Sequence, residues 1–285
     1  MRNEFRYAVR ALLRDRAFAC MVVLSLAVGI GANTAIFSLV DGVLLRPPGY
    51  REPDRLVTIS QFAPKLLKSY PALPVNIGIY LEWRKQLTSF ASLGIARGGA
   101  FNMTGSGDPE QLRGAEVSAN LFTVLGVEPR LGRNFLDSED PAGHDRVAIL
   151  GDSLWRRRFA SDPGIVGRKI LLDGIPYEVV GVLPPSFHFP REEKVGARSL
   201  GEWVEVYKPL GYENDDVTLH MGDFNFSTTA RLRPGVSLAK AQAELNVVQA
   251  GISARIPGDL DLHANLVPLT ERMVGDVREL SLIHI

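Results

Sequence analysis

The sequence predicts an α+β protein, with one N-terminal transmembrane helix followed by an extracytoplasmic α+β domain of strand–helix–strand units and an inserted β-rich subdomain. Three observations lead to this prediction. Residues 17–40 carry no charge, strand-like and helix-like segments alternate at both ends of the remaining chain, and strand-like runs dominate between them. Of the 285 residues, 46% are hydrophobic and 22% are charged, which is typical of a folded chain rather than a disordered one.

The uncharged run from Ala17 to Val40 is 24 residues long. As a helix it would measure about 36 Å, against roughly 30 Å of bilayer hydrocarbon, so it is long enough to span with some tilt. A cleaved signal peptide is the alternative, but its apolar stretch usually has only about 7–15 residues. We therefore interpret residues 17–40 as a retained membrane span. Cys20 is the only cysteine, so the chain cannot form an intramolecular disulfide.

Charge gives the predicted orientation. Residues 1–16 contain five arginines against Glu4 and Asp15, a net charge of +3 on an amphipathic segment. Positive charge flanking a span favours the cytoplasmic side, so residues 1–16 are expected inside and the chain after Asp41 outside. The rest of the chain carries 27 basic and 30 acidic residues, a net charge of −3 with no basic stripe. This balance argues against a nucleic-acid partner.

A proline-rich segment follows the predicted span, and the first half of the outer domain then alternates between predicted strands and helices. A strand is predicted over Leu56–Ile59 and a helix over Val75–Phe90, followed by strand-like segments around 93–96 and 116–117. The stretch "SANLFTVLG" predicts a short helix that ends at Gly126.

The second half contains the strongest local signals. Val147–Leu150 predicts a buried strand, followed by a helical turn over 154–159, and "KILLDGIPYEVVGVL" predicts a hairpin that turns at Asp173-Gly174. The strand "STTARL" precedes a helix capped by Ser237, and "HANLVPL" forms a last strand. We expect one domain over 46–278, in which 51–117 and 226–278 form one subdomain and 118–225 the inserted one.

The predicted span carries small and polar residues that a lone anchor does not need. Residues four apart lie on one helix face, and small side chains there let a second helix approach closely, while an amide or hydroxyl can hydrogen-bond across the contact. The predicted helix-packing residues are Ser25, Gly29, Gly31, Asn33, Thr34 and Ala35. The alternative is polarity that is tolerated near the outer end of the span.

Two motifs suggest chemistry. "VAILGDSLW" places Ser153 after a strand, as in the nucleophile block of GDSL esterases, but no histidine follows an aspartate by three positions, so a helix-capping turn is the simpler interpretation. His220 lies near Asp215, Asp216 and Asp223, a weak metal pattern, because acidic loop residues are usually just solvated. No G-x-x-x-x-G-K-[ST] loop occurs, so the chain lacks that route to ATP. We predict no catalytic residues, no metal and no cofactor.

Several stretches, taken in order, resemble one family. They are "FRYAVRALLRDRAFACMVVLSLAVGIGANTAIFSLVDGVLLRP", "IYLEWRKQLTSFASLG", "VSANLFTVLGVEPRLGRNF", "LWRRRFASDPGIVGRKILLDGIPYEVVGVLPPSFHFP", "ARLRPGVSLAKAQAEL" and "VPLTERMVGDVR". In this order, from Phe5 to Arg278, they resemble the N-terminal part of MacB/FtsX-type ABC transporter permeases, particularly the duplicated permeases common in Acidobacteria, with a MacB-like periplasmic core domain.

The resemblance implies a non-catalytic permease subunit in a bacterial inner membrane, which couples a separate cytoplasmic ATPase to the extracytoplasmic domain for export or mechanotransmission. It also implies further permease helices as partners of the first span, and a periplasmic adaptor. In the family three membrane helices follow "VGDVR", whereas residues 279–285 depart from that pattern and read as a truncated or artefactual tail. Two alternatives stay open: a single-pass anchored binding module, and an esterase using Ser153.

Overall fold

The computed structural model describes residues 16–40, 49–70, 72–105, 107–189, 203–213, 224–256 and 261–272. The chain divides into two compact units, Met1–Pro47 and Pro48–Ile285. The first contains helix α1, Arg16–Val40, over the predicted span. Among the described residues, no helix meets the combined length and apolarity expected of a membrane crossing. The transmembrane assignment therefore stays a prediction.

The second unit is built on a sheet. Its strands are β1 Leu56–Phe62, β2 Phe90–Thr104, β3 Glu110–Val117, β4 Leu131–Gly132, β5 Val147–Leu150, β6 Lys169–Leu172, β7 Ile175–Val182, β8 Val206–Pro209, β9 Ser227–Leu232 and β10 His263–Pro268. Its α-helices are α2 Ile77–Gln86, α3 Leu121–Leu125, α4 Asp152–Phe159 and α5 Leu238–Ser253. Short 3₁₀ turns occupy Pro53–Arg55, Pro64–Leu66, Asp137–Glu139 and Pro163–Ile165.

Within the described part of the chain the ten strands form one continuous sheet, in the order β10-β1-β9-β2-β3-β8-β5-β7-β4, and β6 pairs with β2 and β7 beside this path. The first and last strands are antiparallel neighbours, with Val57 opposite Pro268 and Phe62 opposite His263. The start of β1 and the end of β10 therefore lie side by side at the same end of the sheet. The division into subdomains 51–117 with 226–278 and 118–225 stays a prediction.

The structure confirms the elements that short stretches of sequence predicted. The strand Val147–Leu150 has the predicted bounds, and β6 and β7 form the predicted hairpin. Its turn residues Asp173 and Gly174 have φ of 50° and 77°, the left-handed pair of a type I′ turn. The Ser237 side chain accepts the Lys240 N–H at the start of α5, which is the predicted N-cap.

The predicted bounds of α2, β2 and β3 differ from those in the structure, and β8 is an additional strand. α2 runs from Ile77 to Gln86 rather than from Val75 to Phe90, because Asn76 caps its start and Leu87 and Phe90 leave the helix for the core, where they are 6% and 2% exposed. β2 and β3 are much longer than their predicted cores, because they pair with each other over eight residue pairs, a partnership that no local pattern reveals. β8 was not predicted at all; it pairs with β3 and β5.

Three apolar clusters make the core. α2 and α5 cover one face of the β1–β9–β2 region, where Trp83 is completely buried. α3 packs on the opposite face with Phe122 at its centre, and α4 with β6 covers the region of β5, β7 and β8, where Trp155 is 5% exposed. Burial of this apolar surface is the main stabilising contribution to the fold.

Candidate functional site

The predicted packing residues of α1 are accessible within their own unit. Ser25, Gly29, Gly31 and Thr34 are exposed, and a Cβ added at either glycine would meet no atom within 4 Å. The side chains of Asn33 and Ala35 lie outside the described residues. Helix packing through this face stays a prediction.

The Gly151–Ser153 turn begins α4. Asp152 is bound by Arg130, with Nη1–Oδ1 of 2.9 Å, and by Arg156, with Nε–Oδ2 of 2.5 Å. Ser153 is exposed and lines a cavity of about 190 Å³ that is also lined by His188. Among the described residues no hydrogen bond joins the Ser153 hydroxyl to an imidazole, so its proton has no positioned acceptor. The turn starts a helix, but Gly151 is its N-cap and no side chain caps it, so the predicted helix-capping role of this turn is wrong.

The weak metal pattern of His220 with Asp215, Asp216 and Asp223 lies outside the described residues. Across the ranges that are described, no three histidine, cysteine, aspartate or glutamate side chains gather closely enough to hold a metal ion.

The feature that organises this unit is a buried arginine at the point of chain entry. Arg231 lies on β9, is 8% exposed, and donates from Nε to the Val124 carbonyl at 2.8 Å, beside the C-terminus of α3. It also donates from Nη2 to the Arg51 carbonyl at 2.6 Å and from Nη1 to the Glu52 carbonyl at 3.4 Å. Burial and the nearby Arg55 lower the pKa of Arg231. We call Arg231 with these carbonyls the entry clamp.

The C-terminal end of α3 contacts the chain that enters the unit at residues 50–55. α3 ends at Gly126, whose φ is +71°, and the Arg51 N–H donates to the Leu125 carbonyl at 3.2 Å. A Cβ on Gly126 would lie only 2.4 Å from the Arg51 Cβ. Glycine is therefore required at position 126 for two reasons: the positive φ of its backbone and the close approach of Arg51 in the entering chain.

A second arginine ties the entry to β9. Arg55 donates from Nε and Nη2 to the Leu232 carbonyl at 2.9 and 2.7 Å, and from Nη1 to Glu52 at 2.7 Å. Two guanidinium groups thus connect residues 51–55 with the end of β9. Because a guanidinium presents its donors in a fixed planar fork, such contacts hold the geometry more rigidly than an ammonium would.

The entry and the exit of the chain share one apolar cluster. Tyr50 and Leu269 are 7% and 2% exposed and belong to the same cluster as α3. The Tyr50 hydroxyl donates to the His188 carbonyl at 2.6 Å, and burial raises the pKa of Tyr50 well above its ordinary value. The segments on either side of the sheet therefore pack in one region.

Among the described residues, Asp140 and Glu244 are the carboxylates whose pKa values shift most. Burial raises the pKa of Asp140 to about 6, although its Oδ1 accepts the Ala119 N–H at 2.8 Å. Burial also opposes ionisation of Glu244, but hydrogen bonds from Ser89 and Thr88 lower its pKa to about 2. Both groups are structural ties between segments distant in sequence.

Sequence reasoning missed the entry clamp. The only local signal was an arginine in "STTARL", a strand whose alternation puts Arg231 on the same face as Thr229. A charged residue pointing inward from a central strand needs buried acceptors, but the sequence does not reveal that these are carbonyls of residues 51, 52 and 124.

The family model for the MacB-like periplasmic core domain matches residues 19–248 of this chain. The chain belongs to this family. The match begins inside α1 and ends inside α5, so it includes β9 and the entry clamp.

Two curated relatives of this MacB-like chain are macrolide export ATP-binding/permease proteins named MacB. The one from Wolinella succinogenes is 25% identical over 186 residues, covering 64% of this chain and 26% of the relative. The one from Azoarcus sp. strain BH72 is 22% identical over 191 residues, covering 64% and 27%. The chain thus spans about a quarter of the length of these relatives.

Solved structures share the fold of the MacB-like domain. The periplasmic region of MacB from Actinobacillus actinomycetemcomitans matches with a TM-score of 0.54 and 14% identity, covering 81% of this chain and 94% of that one. A domain of a protein described as a permease from Porphyromonas gingivalis matches with a TM-score of 0.56 and 14% identity, covering 77% and 92%. At this identity the likeness establishes the mixed α+β fold and nothing finer.

Proposed function

We propose that the chain is the N-terminal part of a non-catalytic permease subunit of an ABC-type transporter. In this proposal α1 spans the bacterial inner membrane with residues 1–16 in the cytoplasm, and the MacB-like domain lies outside it. A separate cytoplasmic ATP-binding subunit supplies the energy, and further permease helices pack against Ser25, Gly29, Gly31, Asn33, Thr34 and Ala35. A periplasmic adaptor is a further proposed partner.

One observation supports this proposal most strongly: Val57 pairs with Pro268, so the chain enters and leaves the domain side by side. Tyr50 and Leu269 pack in the same cluster, and Arg231 fixes the entering residues to β9. Membrane helices attached on both sides would act on this one region and would move the domain as a unit. Such an arrangement suits the transmission of helix movements better than it suits catalysis.

Reporter fusions test the topology. Alkaline phosphatase fused after Arg272 should be active, because it folds only outside the cytoplasm, and the same fusion after Arg14 should be inactive. Phosphatase activity after Arg14, or its absence after Arg272 in a stably expressed fusion, would contradict the proposed orientation.

Sequencing the source DNA past the codon for Arg278 separates the permease from a single-pass binding module. Three further apolar segments in the same reading frame would support the permease. A natural stop codon directly after Ile285 would favour the single-pass module instead.

A further inference from the structure

The outer edge of β10 is occupied by side chains from a helix. Among the described strands, β10 pairs with β1 alone, and it is the first strand of the sheet. In a strand the backbone groups of alternate residues point to opposite sides, so one alternate set bonds the neighbouring strand and the other set points outward. The backbone groups of Leu262, just before β10, and of Ala264 and Leu266 form the outward set, because α5 side chains hydrogen-bond to them.

Four hydrogen bonds close this edge, all from one face of α5. Gln242 donates from Nε2 to the Ala264 carbonyl at 2.9 Å and accepts the Leu266 N–H on Oε1 at 2.7 Å. Gln249 donates from Nε2 to the Leu262 carbonyl at 3.2 Å, and the Ser253 hydroxyl oxygen accepts the Leu262 N–H at 2.9 Å. The primary amide of Gln242 thus binds a carbonyl and the N–H two residues on, as a neighbouring strand would.

The lengths of the two elements agree with this pairing. Gln242 and Ser253 are eleven residues apart in the sequence, about 16 Å along a helix, and Leu262 to Leu266 extends over about 13 Å in a strand. The polar residues fall at spacings of seven and four, which keeps them on one side of α5. Asn246, on the next turn, accepts a second hydrogen bond from Gln242 Nε2 at 2.7 Å and fixes the orientation of its amide.

We propose that Gln242 and Ser253, with Gln249, act as a guard on β10, and that without them β10 pairs with β10 of a second copy of this chain. The strand carries no lysine and no acidic residue, the charged side chains that usually prevent edge pairing, and its one proline, Pro268, stands at its very end. The opposite end of the sheet uses another device, since its outer strand β4 has only two residues. An antiparallel pair centred on Ala264 would place Leu262 opposite Leu266 of the second copy, a symmetric arrangement.

Space for an added strand lies beside the guard. An open groove of about 720 Å³ follows the junction of α5 and β10, and is lined by Asn246, Gln249 and Ser253 on one side and by Leu262–Ala264 on the other. A neighbouring strand needs about 4.8 Å of separation from β10. The groove leaves room for a second strand beside Leu262–Ala264, the part of the edge that Gln249 and Ser253 cover.

The test replaces Gln242 by Met and Ser253 by Ala in the full 285-residue chain, purified in detergent. Gln249 stays unchanged because it also accepts the Trp83 indole N–H at 3.0 Å in the core. We expect the protein mass from light scattering to rise toward twice that of the unchanged chain with increasing concentration. At low concentration, amide exchange at Leu266 should accelerate by about two- to tenfold, as expected for loss of one hydrogen bond. At high concentration it should slow again.

Gln111→Met is the matched control, because Gln111 is exposed on β3 and far in the strand order from β10; it should leave both mass and exchange unchanged. If the double variant fails to fold, as judged by circular dichroism, Gln242→Met alone takes its place with the same expectation. A mass equal to that of the unchanged chain at every concentration would overturn the proposal. So would association that leaves Leu266 exchanging fast, since the contact would then lie elsewhere.

Discussion

Replacing Arg231 by Met tests whether the entry clamp holds the domain together. Methionine keeps the apolar stem but removes all the hydrogen bonds that the guanidinium donates to the carbonyls of residues 51, 52 and 124. The Val124 carbonyl is buried with this bond, and leaving it without a donor costs about 1–3 kcal/mol. The part-buried Arg51 carbonyl adds about 1 kcal/mol, while the bond to Glu52 at 3.4 Å adds little. The free energy of unfolding should therefore fall by about 2–4 kcal/mol.

The measurement is urea unfolding of the full chain in detergent, followed by tryptophan emission, because Trp83 is fully buried and reports on the core. Arg233→Met is the matched control. Arg233 lies just beyond the same strand, is exposed, and donates from Nε to the Thr88 carbonyl at 2.9 Å, so its replacement should cost about 0.5–1 kcal/mol. If the two variants lose equal stability, the buried carbonyls do not depend on Arg231 and the entry clamp is wrongly assigned.

Three further predictions concern buried polar groups. The pKa of Asp140 is raised to about 6 in the folded chain, so protonation of Asp140 stabilises the fold. The free energy of unfolding should therefore decline by up to about 3 kcal/mol between pH 4 and pH 6. Asp140→Asn should abolish this pH dependence, as measured by urea titrations. The pKa of Glu244 is lowered to about 2, so the stabilisation that its carboxylate gives the fold is complete above pH 4.5 and is lost as the pH falls toward 2. Glu244→Gln should remove this contribution to acid sensitivity in thermal melts. An unchanged profile would count against the hydrogen bonds from Thr88 and Ser89 to Glu244. Gln61 is fully buried, and among the described residues neither its amide oxygen nor its nitrogen has a hydrogen-bond partner. Gln61→Met should therefore raise the free energy of unfolding by about 1–3 kcal/mol; a loss of stability would show that the amide is satisfied.

The sequence alone was sufficient for elements whose signals lie within a few residues. The turn at Asp173-Gly174 needs left-handed backbone, which this pair of residues adopts readily, so the hairpin and its turn followed from the sequence. Ser237 caps α5 through a hydrogen bond to a residue only three positions away. Family membership was also readable, because the order of the quoted segments survives in the chain.

The tertiary structure alone decided the contacts between distant residues. Arg231 meets the Arg51 carbonyl across 180 positions, and β1 finds β10 at the other end of the domain. Gln242 looked like an ordinary helix residue, yet its amide closes the edge of the sheet. Sequence patterns report which face of an element is apolar, because burial follows local periodicity. They do not report which backbone carbonyl a buried guanidinium or amide will hydrogen-bond to, because this partner depends on how the whole sheet arranges its strands.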